Sequence, residues 1–257
     1  MIHKFSHIDP NARIGNNVTI SPFSTIYGDV EIGDDCWIGP NVTIMDGARI
    51  GKNVKIFPGA VISAVPQDLK YKGEPTTAEI GDNTVIRECV TFNKGTTDKN
   101  KTSVGKNCLI MAYVHLAHDC IIGNNVILAN NVGLSGHITI DDWAILEGFA
   151  VAQQFVHIGA HSFIGGATLI RKNVPPYVKA AREPISYIGV NSVGLSRRGF
   201  DKDTIRLIED IYRTLFVRGH NMSKAIEIVE SEIASNPIKD EILNFIRNSK
   251  DGVIRGI

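Results

Sequence analysis

Isoleucine stands at every sixth position from Ile8 to Ile62, through Ile14, Ile20, Ile26, Ile32, Ile38, Ile44, Ile50 and Ile56. The register resumes at Ile80, Ile86 and Phe92. It resumes again at Val104 and runs through Ile110, Leu116, Ile122, Leu128, Leu134, Ile140, Leu146, Ala152, Ile158, Ile164 and Ile170. Every one of these positions is apolar. A helix repeats its buried face about every 3.6 residues and a strand every 2, so neither explains the pattern. A unit of short strand plus corner, six residues long, explains all of it.

The corners have their own signature. Four residues after the register comes a small or β-branched side chain, such as Ala12, Val18, Val30, Val42, Ala48, Val54, Val126, Val132 or Ala144. Asparagine recurs three after it, at Asn17, Asn41, Asn53, Asn83, Asn107, Asn125, Asn131 and Asn173. Asparagine tolerates the left-handed backbone region that tight corners demand. Such hexapeptides resemble the left-handed parallel β-helix, in which three units make one triangular coil. That predicts a mainly β fold of about eight coils, roughly 40 Å long at ~4.8 Å per rung.

The β-helix is expected over residues 1–176, with two excursions that leave the register near 66–79 and 97–103. Excursions from a solenoid commonly sit on its binding face. After Val174-Pro175-Pro176 the period ends, and residues 177–257 read as a C-terminal segment and helical region. Asp201 is placed to cap a helix reaching Arg218 with Gly219 behind it, followed by helices from about Ser223 to Ala234 and from Pro237 to about Asn248.

Composition bounds the partners. Lysine and arginine total 27 and so do aspartate and glutamate, so the whole-molecule field does not favour nucleic acid. Cys36, Cys89, Cys108 and Cys120 show no paired spacing and read as free thiols. No apolar run is long enough to span a bilayer. The expectation is a cytoplasmic protein without stable membrane insertion.

Chemistry concentrates at "HLAHDC", residues 115–120. One coil is about eighteen residues in this fold, so His118 stacks under Gly136, Gly136 under Gln154, and Asp119 under His137. A histidine with an adjacent carboxylate is built to act as a general base near neutral pH. A glycine one coil away offers an approachable backbone N–H, as an oxyanion requires. The other reading of His115, His118 and His137 is a zinc site, but they belong to different columns and faces, and no metal is expected. His3, His7, His157, His161 and His220 read as bystanders. No serine or cysteine here reads as a nucleophile paired with a base.

The motifs "PQDLKYKGEP", "HLAHDC", "LSGH", "QQF…IGAH", "VPPYV" and "GVN…RRGF", taken together, resemble the UDP-N-acetylglucosamine acyltransferases that begin lipid A synthesis. The resemblance covers the whole chain. It implies a homotrimer with active sites between subunits and no cofactor of its own. The acyl donor is a 3-hydroxyacyl group on the phosphopantetheine of acyl carrier protein, and the acceptor is the glucosamine 3-position of UDP-N-acetylglucosamine. By the resemblance His118 is the base, Asp119 supports it, and the Gly136 amide binds the oxyanion. Gln67, Asp68 and Lys70 match positions that hold the acyl 3-hydroxyl and the sugar, and His115, His137 and Gln154 match positions around acyl chain and sugar. Gly166 matches the far end of the acyl groove, where a missing side chain leaves room for a long chain. Asn191, Arg197 and Arg198 match positions that bind the nucleotide and its phosphates. The sequence departs from the family pattern at Asn93 and Gln153, where histidine is common, and at Val193, where glutamate is common. The alternatives are a coenzyme A-dependent acetyl- or succinyltransferase and a non-enzymatic solenoid. The loop and paired arginines argue against the first, and the irregular outward positions against the second.

Overall fold

The computed structural model describes residues 1–256. Three parallel sheets of nine, eight and ten strands wrap one apolar interior, and most strands are only two residues long. The chain visits the sheets in turn, so as far as Leu169–Ile170 stacked strands are three elements apart. The result is a left-handed parallel β-helix with a C-terminal helical layer. We number its three faces by their first strands, His7–Ile8, Arg13–Ile14 and Thr19–Ile20. The first corner joins faces one and two, the second joins two and three, and the third returns from three to one.

The offset between stacked strands is eighteen residues in unbroken runs, as in His115 opposite Gly133 and Ile127 opposite Ile145. The excursions are accommodated without losing the inward register, for Ile80 still stacks on Ile50 and Val104 on Ile80. The first is also shorter than the sequence suggested, and the second is the same length but begins three residues earlier. Strands Thr77–Ile80 and Lys101–Val104 pair side by side, so the chain leaves the coil only over 65–76 and 94–100. Nor does the sheet end at residue 176. Val178–Ala181 adds a parallel rung beside Phe163–Ile164, and Ser186–Val190 folds back antiparallel to cover its edge.

The register residues form the core. Ile26, Ile38, Ile44, Ile56, Ile62, Phe92, Leu116, Leu134, Ile158 and Ile170 are wholly buried, whereas Ile8 and Ile14 in the first coil are half-buried. Each fully buried aliphatic side chain contributes about 1.5–3 kcal/mol. That burial offsets the corners, where a left-handed residue costs about 1–2 kcal/mol. Asn17, Asn41, Asn53, Asn83, Asn107, Asn125 and Asn131 adopt it with φ between 53° and 62°. Asn173 is the exception, serving instead as acceptor for the His157 N–H at 2.8 Å. Phe23, Tyr113, Trp143, Phe149 and Phe155 also take left-handed corners, which their residue types do not announce.

Four helices follow: α1 (Ser192–Arg197), α2 (Lys202–Tyr212), α3 (Met222–Glu232) and α4 (Pro237–Asn248). Asp201 caps α2 by accepting the Thr204 N–H at 2.7 Å. The helical path continues past Tyr212 as a π-turn, Arg213–Val217, and stops before Gly219 at φ 75°. The helices hold to the last rungs through Tyr212, which is fully buried and donates to Pro176 O at 2.6 Å, and through Tyr177, whose hydroxyl donates to Glu241. Among the described residues no helix is long and apolar enough to cross a membrane.

Candidate active site

The strand His115–Leu116 lies on face one and turns the first corner directly into His118 and Asp119. Leu116 is driven inward by the register, so the two residues after it are carried around the corner. Asp119 takes the left-handed position at φ 59°. This brings its carboxylate back toward the preceding imidazole, and His118 Nδ1 lies 2.8 Å from Asp119 Oδ2. A carboxylate only accepts, so Nδ1 carries the hydrogen and Nε2 is left to take a proton.

Asp119 is 0% exposed, and its charge is met by the second excursion. The Thr96 hydroxyl donates to it at 2.6 Å, and the backbone N–H groups of Thr96 and Lys99 at 3.1 Å each. Burial alone would raise this carboxyl, but the hydrogen bonds from Thr96, His118 and Lys99 outweigh it and hold the group below its usual range. Thr102 accepts the Asp119 N–H at 2.8 Å. Sequence reasoning did not find Thr96, Lys99 or Thr102. The only signal for them is that the chain leaves its register in the coil just before His118.

Gly136 stands in the next rung of the same column. A Cβ built there would lie 2.6 Å from His118 Cε1 and 2.7 Å from Nε2. The glycine is therefore what lets the imidazole lie against the backbone. Its N–H donates to no acceptor among the described residues. His137 follows, edge-on to His118 with ring centroids 4.9 Å apart, and stacked on Phe155 at 4.6 Å. Its Nδ1 lies 2.9 Å from Asp98 of the second excursion.

A cavity of about 330 Å³ beside this corner is lined by Asp68, Lys70 and Tyr71 of the first excursion, by Thr96 and Asp98 of the second, and by His137 and Phe155. Asp68 shapes its loop by accepting the Lys70 N–H at 2.9 Å. Gln67 is exposed in that loop outside the cavity lining, and Gln154 is exposed one rung beyond Gly136 in the His118 column. His115 faces outward from face one, where its Nδ1 meets the Thr91 hydroxyl at 2.8 Å and burial lowers its pKa.

Ligand-capable atoms of His118, Asp119 and His137 lie within 4.8 Å of one another. Both Asp119 oxygens and both Nδ1 atoms are already hydrogen-bonded. Only two imidazole Nε2 atoms remain, short of the three protein ligands a zinc site uses.

The other predicted residues stand elsewhere on the prism. Gly166 is exposed at the third corner, its N–H 3.1 Å from Glu147 Oε2. Asn191 and Arg198 flank α1 against the second corner, where Asn191 Nδ2 donates to His161 O at 2.9 Å and Arg198 Nη1 to His161 Nδ1 at 3.2 Å. Arg197 is exposed. His161 is therefore hydrogen-bonded to both ends of α1 rather than solvated.

A family model described as UDP N-acetylglucosamine O-acyltransferase, domain 2, matches residues 173–257, and one for bacterial transferase hexapeptides matches 29–64 and 101–136. An acyl–acyl carrier protein–UDP-N-acetylglucosamine O-acyltransferase from Paracidovorax citrulli is 44% identical, over 100% of this chain and 98% of the relative. The like-named protein of Aliivibrio fischeri is 41% identical, over 99% and 100%. The chain belongs to the UDP-N-acetylglucosamine acyltransferase family. Solved structures of the family superpose closely. The UDP-N-acetylglucosamine acyltransferase from Bacteroides fragilis gives a TM-score of 0.97 at 48% identity, covering 99% of this chain and 100% of that one. The Francisella novicida enzyme gives 0.95 at 39%, covering 99% and 94%.

Proposed function

We propose that this chain transfers a 3-hydroxyacyl group from acyl carrier protein to the 3-hydroxyl of the glucosamine unit of UDP-N-acetylglucosamine, the reaction that opens lipid A synthesis. The reading rests on the family and, above all, on one observation: an imidazole held at Nδ1 by a buried carboxylate and lying against a glycine with an unused N–H.

The steps follow from that geometry. His118 Nε2 takes the proton of the sugar 3-hydroxyl as its oxygen attacks the thioester carbonyl. Negative charge develops on the carbonyl oxygen, where the Gly136 N–H can donate. Asp119 holds the ring's orientation and stabilises the imidazolium while it exists. Collapse breaks the carbon–sulfur bond, and the departing phosphopantetheine thiolate takes the proton back from His118. An ester forms, a thioester is lost and the histidine is restored. Cys120, next in the chain, is wholly buried, and burial pushes its thiol up to about 12, so it supplies no nucleophile.

The reading extends to a homotrimer. The base, the end of the acyl groove at Gly166, and the nucleotide contacts Asn191, Arg197 and Arg198 stand on three different corners of one prism. A single bound substrate reaches all three only if corners of neighbouring copies face one another, which threefold packing supplies. In this reading Gln67, Asp68 and Lys70 meet the acyl 3-hydroxyl and the sugar.

The test incubates the purified protein with UDP-N-acetylglucosamine and either 3-hydroxyacyl carrier proteins or coenzyme A thioesters, and identifies the product by mass spectrometry. An O-acylated nucleotide sugar formed only with the carrier protein is the expected result. Acetyl or succinyl transfer from coenzyme A would replace this reading with another.

A further inference from the structure

The two adjacent arginines of α1's C-terminal end are not equivalent. Arg197 is exposed. Arg198 is partly buried and sits in a seat made by the second corner. Its guanidinium carbon lies 5.2 Å from the Trp143 ring centre, and Nη1 donates to His161 Nδ1 at 3.2 Å. The His161 ring is stacked between Trp143 (6.2 Å, 6°) and Tyr177 (5.5 Å, 12°), with Phe200 edge-on at 5.1 Å. Corner stacking therefore fixes the imidazole before any ligand arrives.

The same histidine holds the other end of α1. Asn191, its N-cap, accepts the Gly194 N–H and donates through Nδ2 to the His161 carbonyl at 2.9 Å. One residue thus ties both ends of a six-residue helix to the rung beneath it. Among the described residues no carboxylate pairs with Arg198, since none lies within 4.0 Å of it in any ion pair. A partly buried guanidinium without a counter-ion is costly unless an anion completes it.

We propose that His161 and Trp143 are positioning residues for nucleotide-sugar binding, holding Arg198 in the one orientation that presents its remaining N–H groups to the substrate's diphosphate. The inference rests on the reading of Arg198 as a nucleotide contact. His161 must be neutral to accept from an arginine. Burial and the Arg198 charge, opposed weakly by Asp142, push it down to about 4, so it stays neutral across working pH.

Three variants and a coupling measurement test this. His161→Phe keeps a ring in the stack and removes the acceptor. It is expected to raise KM for UDP-N-acetylglucosamine about tenfold, on the scale of one hydrogen bond to a charged group. The kcat and the KM for the acyl donor are expected to stay within about twofold. His161→Gln restores an acceptor and is expected to recover most of that loss. In an Arg198→Ala background, His161→Phe is expected to add less than about twofold, because the group it serves is gone.

A normal KM in His161→Phe, with Arg198→Ala still raising it, overturns the positioning role and leaves the arginine's own role standing. An equal penalty from His161→Phe with and without Arg198 also overturns it, by making the histidine merely structural. A normal KM in Arg198→Ala brings down both readings. Should His161→Phe fail to fold, Trp143→Leu removes the ring under the guanidinium from an exposed corner and is judged by the same outcomes.

Discussion

His118 and His161 both stand at corners of the prism, each with one charged residue within hydrogen-bond reach. For His118 it is the carboxylate of the next residue, bonded to Nδ1 at 2.8 Å. For His161 it is a guanidinium reaching the same ring atom from 37 residues away at 3.2 Å. A carboxylate can stabilise a positive ring, which suits the base role proposed for His118. An arginine forbids it, so His161 can only accept. The scaffold offers the same kind of corner in every coil, and in the proposed roles the partner's sign separates an imidazole that moves protons from one that holds a neighbour still.

The contrast breaks most visibly at the proposed base. His118→Ala is expected to lower kcat at least about a hundredfold, the scale of a lost general base, while thermal unfolding stays close to the parent. Near-parental turnover would remove the assignment. Asp119→Asn follows with a loss of several tens of fold, since the amide no longer fixes the tautomer and turns an N–H toward donors from Thr96 and Lys99. The measurement is kcat together with a melting curve, which is expected to fall as well because a buried network is left half-satisfied.

Gly136→Ala is expected to cost about tenfold in kcat, because its methyl has to displace the imidazole by a fraction of an ångström. Gly133→Ala is the control. It would add a methyl that meets only Val151 at 3.7 Å and 3.8 Å, and a comparable loss there would show that any glycine on these rungs is sensitive.

The smallest effect is in stability against pH, and it belongs to the second corner. Burial and Arg198 hold His161 at about 4 in the folded protein against an ordinary 6.5. The unfolded chain therefore binds a proton first, and this contribution to stability drains away as pH falls from about 6.5 toward about 4. His161→Phe is expected to flatten that part of the curve in melts recorded across the range. Asp119, whose pKa is lowered from 3.8, acts in the same sense but in a lower pH window. Its contribution is present above 3.8 and is lost only as pH falls through its depressed folded value. A melting temperature already flat between 6.5 and 4 in the parent would sink the first claim.

The two corners also differ in how plainly they could be read from the residues alone. His118, Asp119 and Gly136 fall into one cluster by counting in eighteens, because local strand geometry fixes that offset within an unbroken run. His161 was invisible by the same count. Its decisive partner comes from α1, a helix too short to show an apolar period, docked by contacts that cross the end of the repeat. Thr96 and Lys99 were hidden for a related reason, since the path of an excursion obeys no register. The inward Ile ladder was legible because one rule governs every rung. The aromatic corners were not, because Phe155 and Trp143 take a backbone conformation their side chains do not favour, which stacking on neighbouring corners helps to hold.

The eighteen-residue spacing between partner strands bears on how the molecule is made. A nascent chain needs only one more turn of sequence before the next rung can close on the last, so winding can keep pace with synthesis from the amino terminus. The His118 corner would then come into being as Gly136 is laid over it. The arginine seat would come later, once α1 folds back over finished rungs.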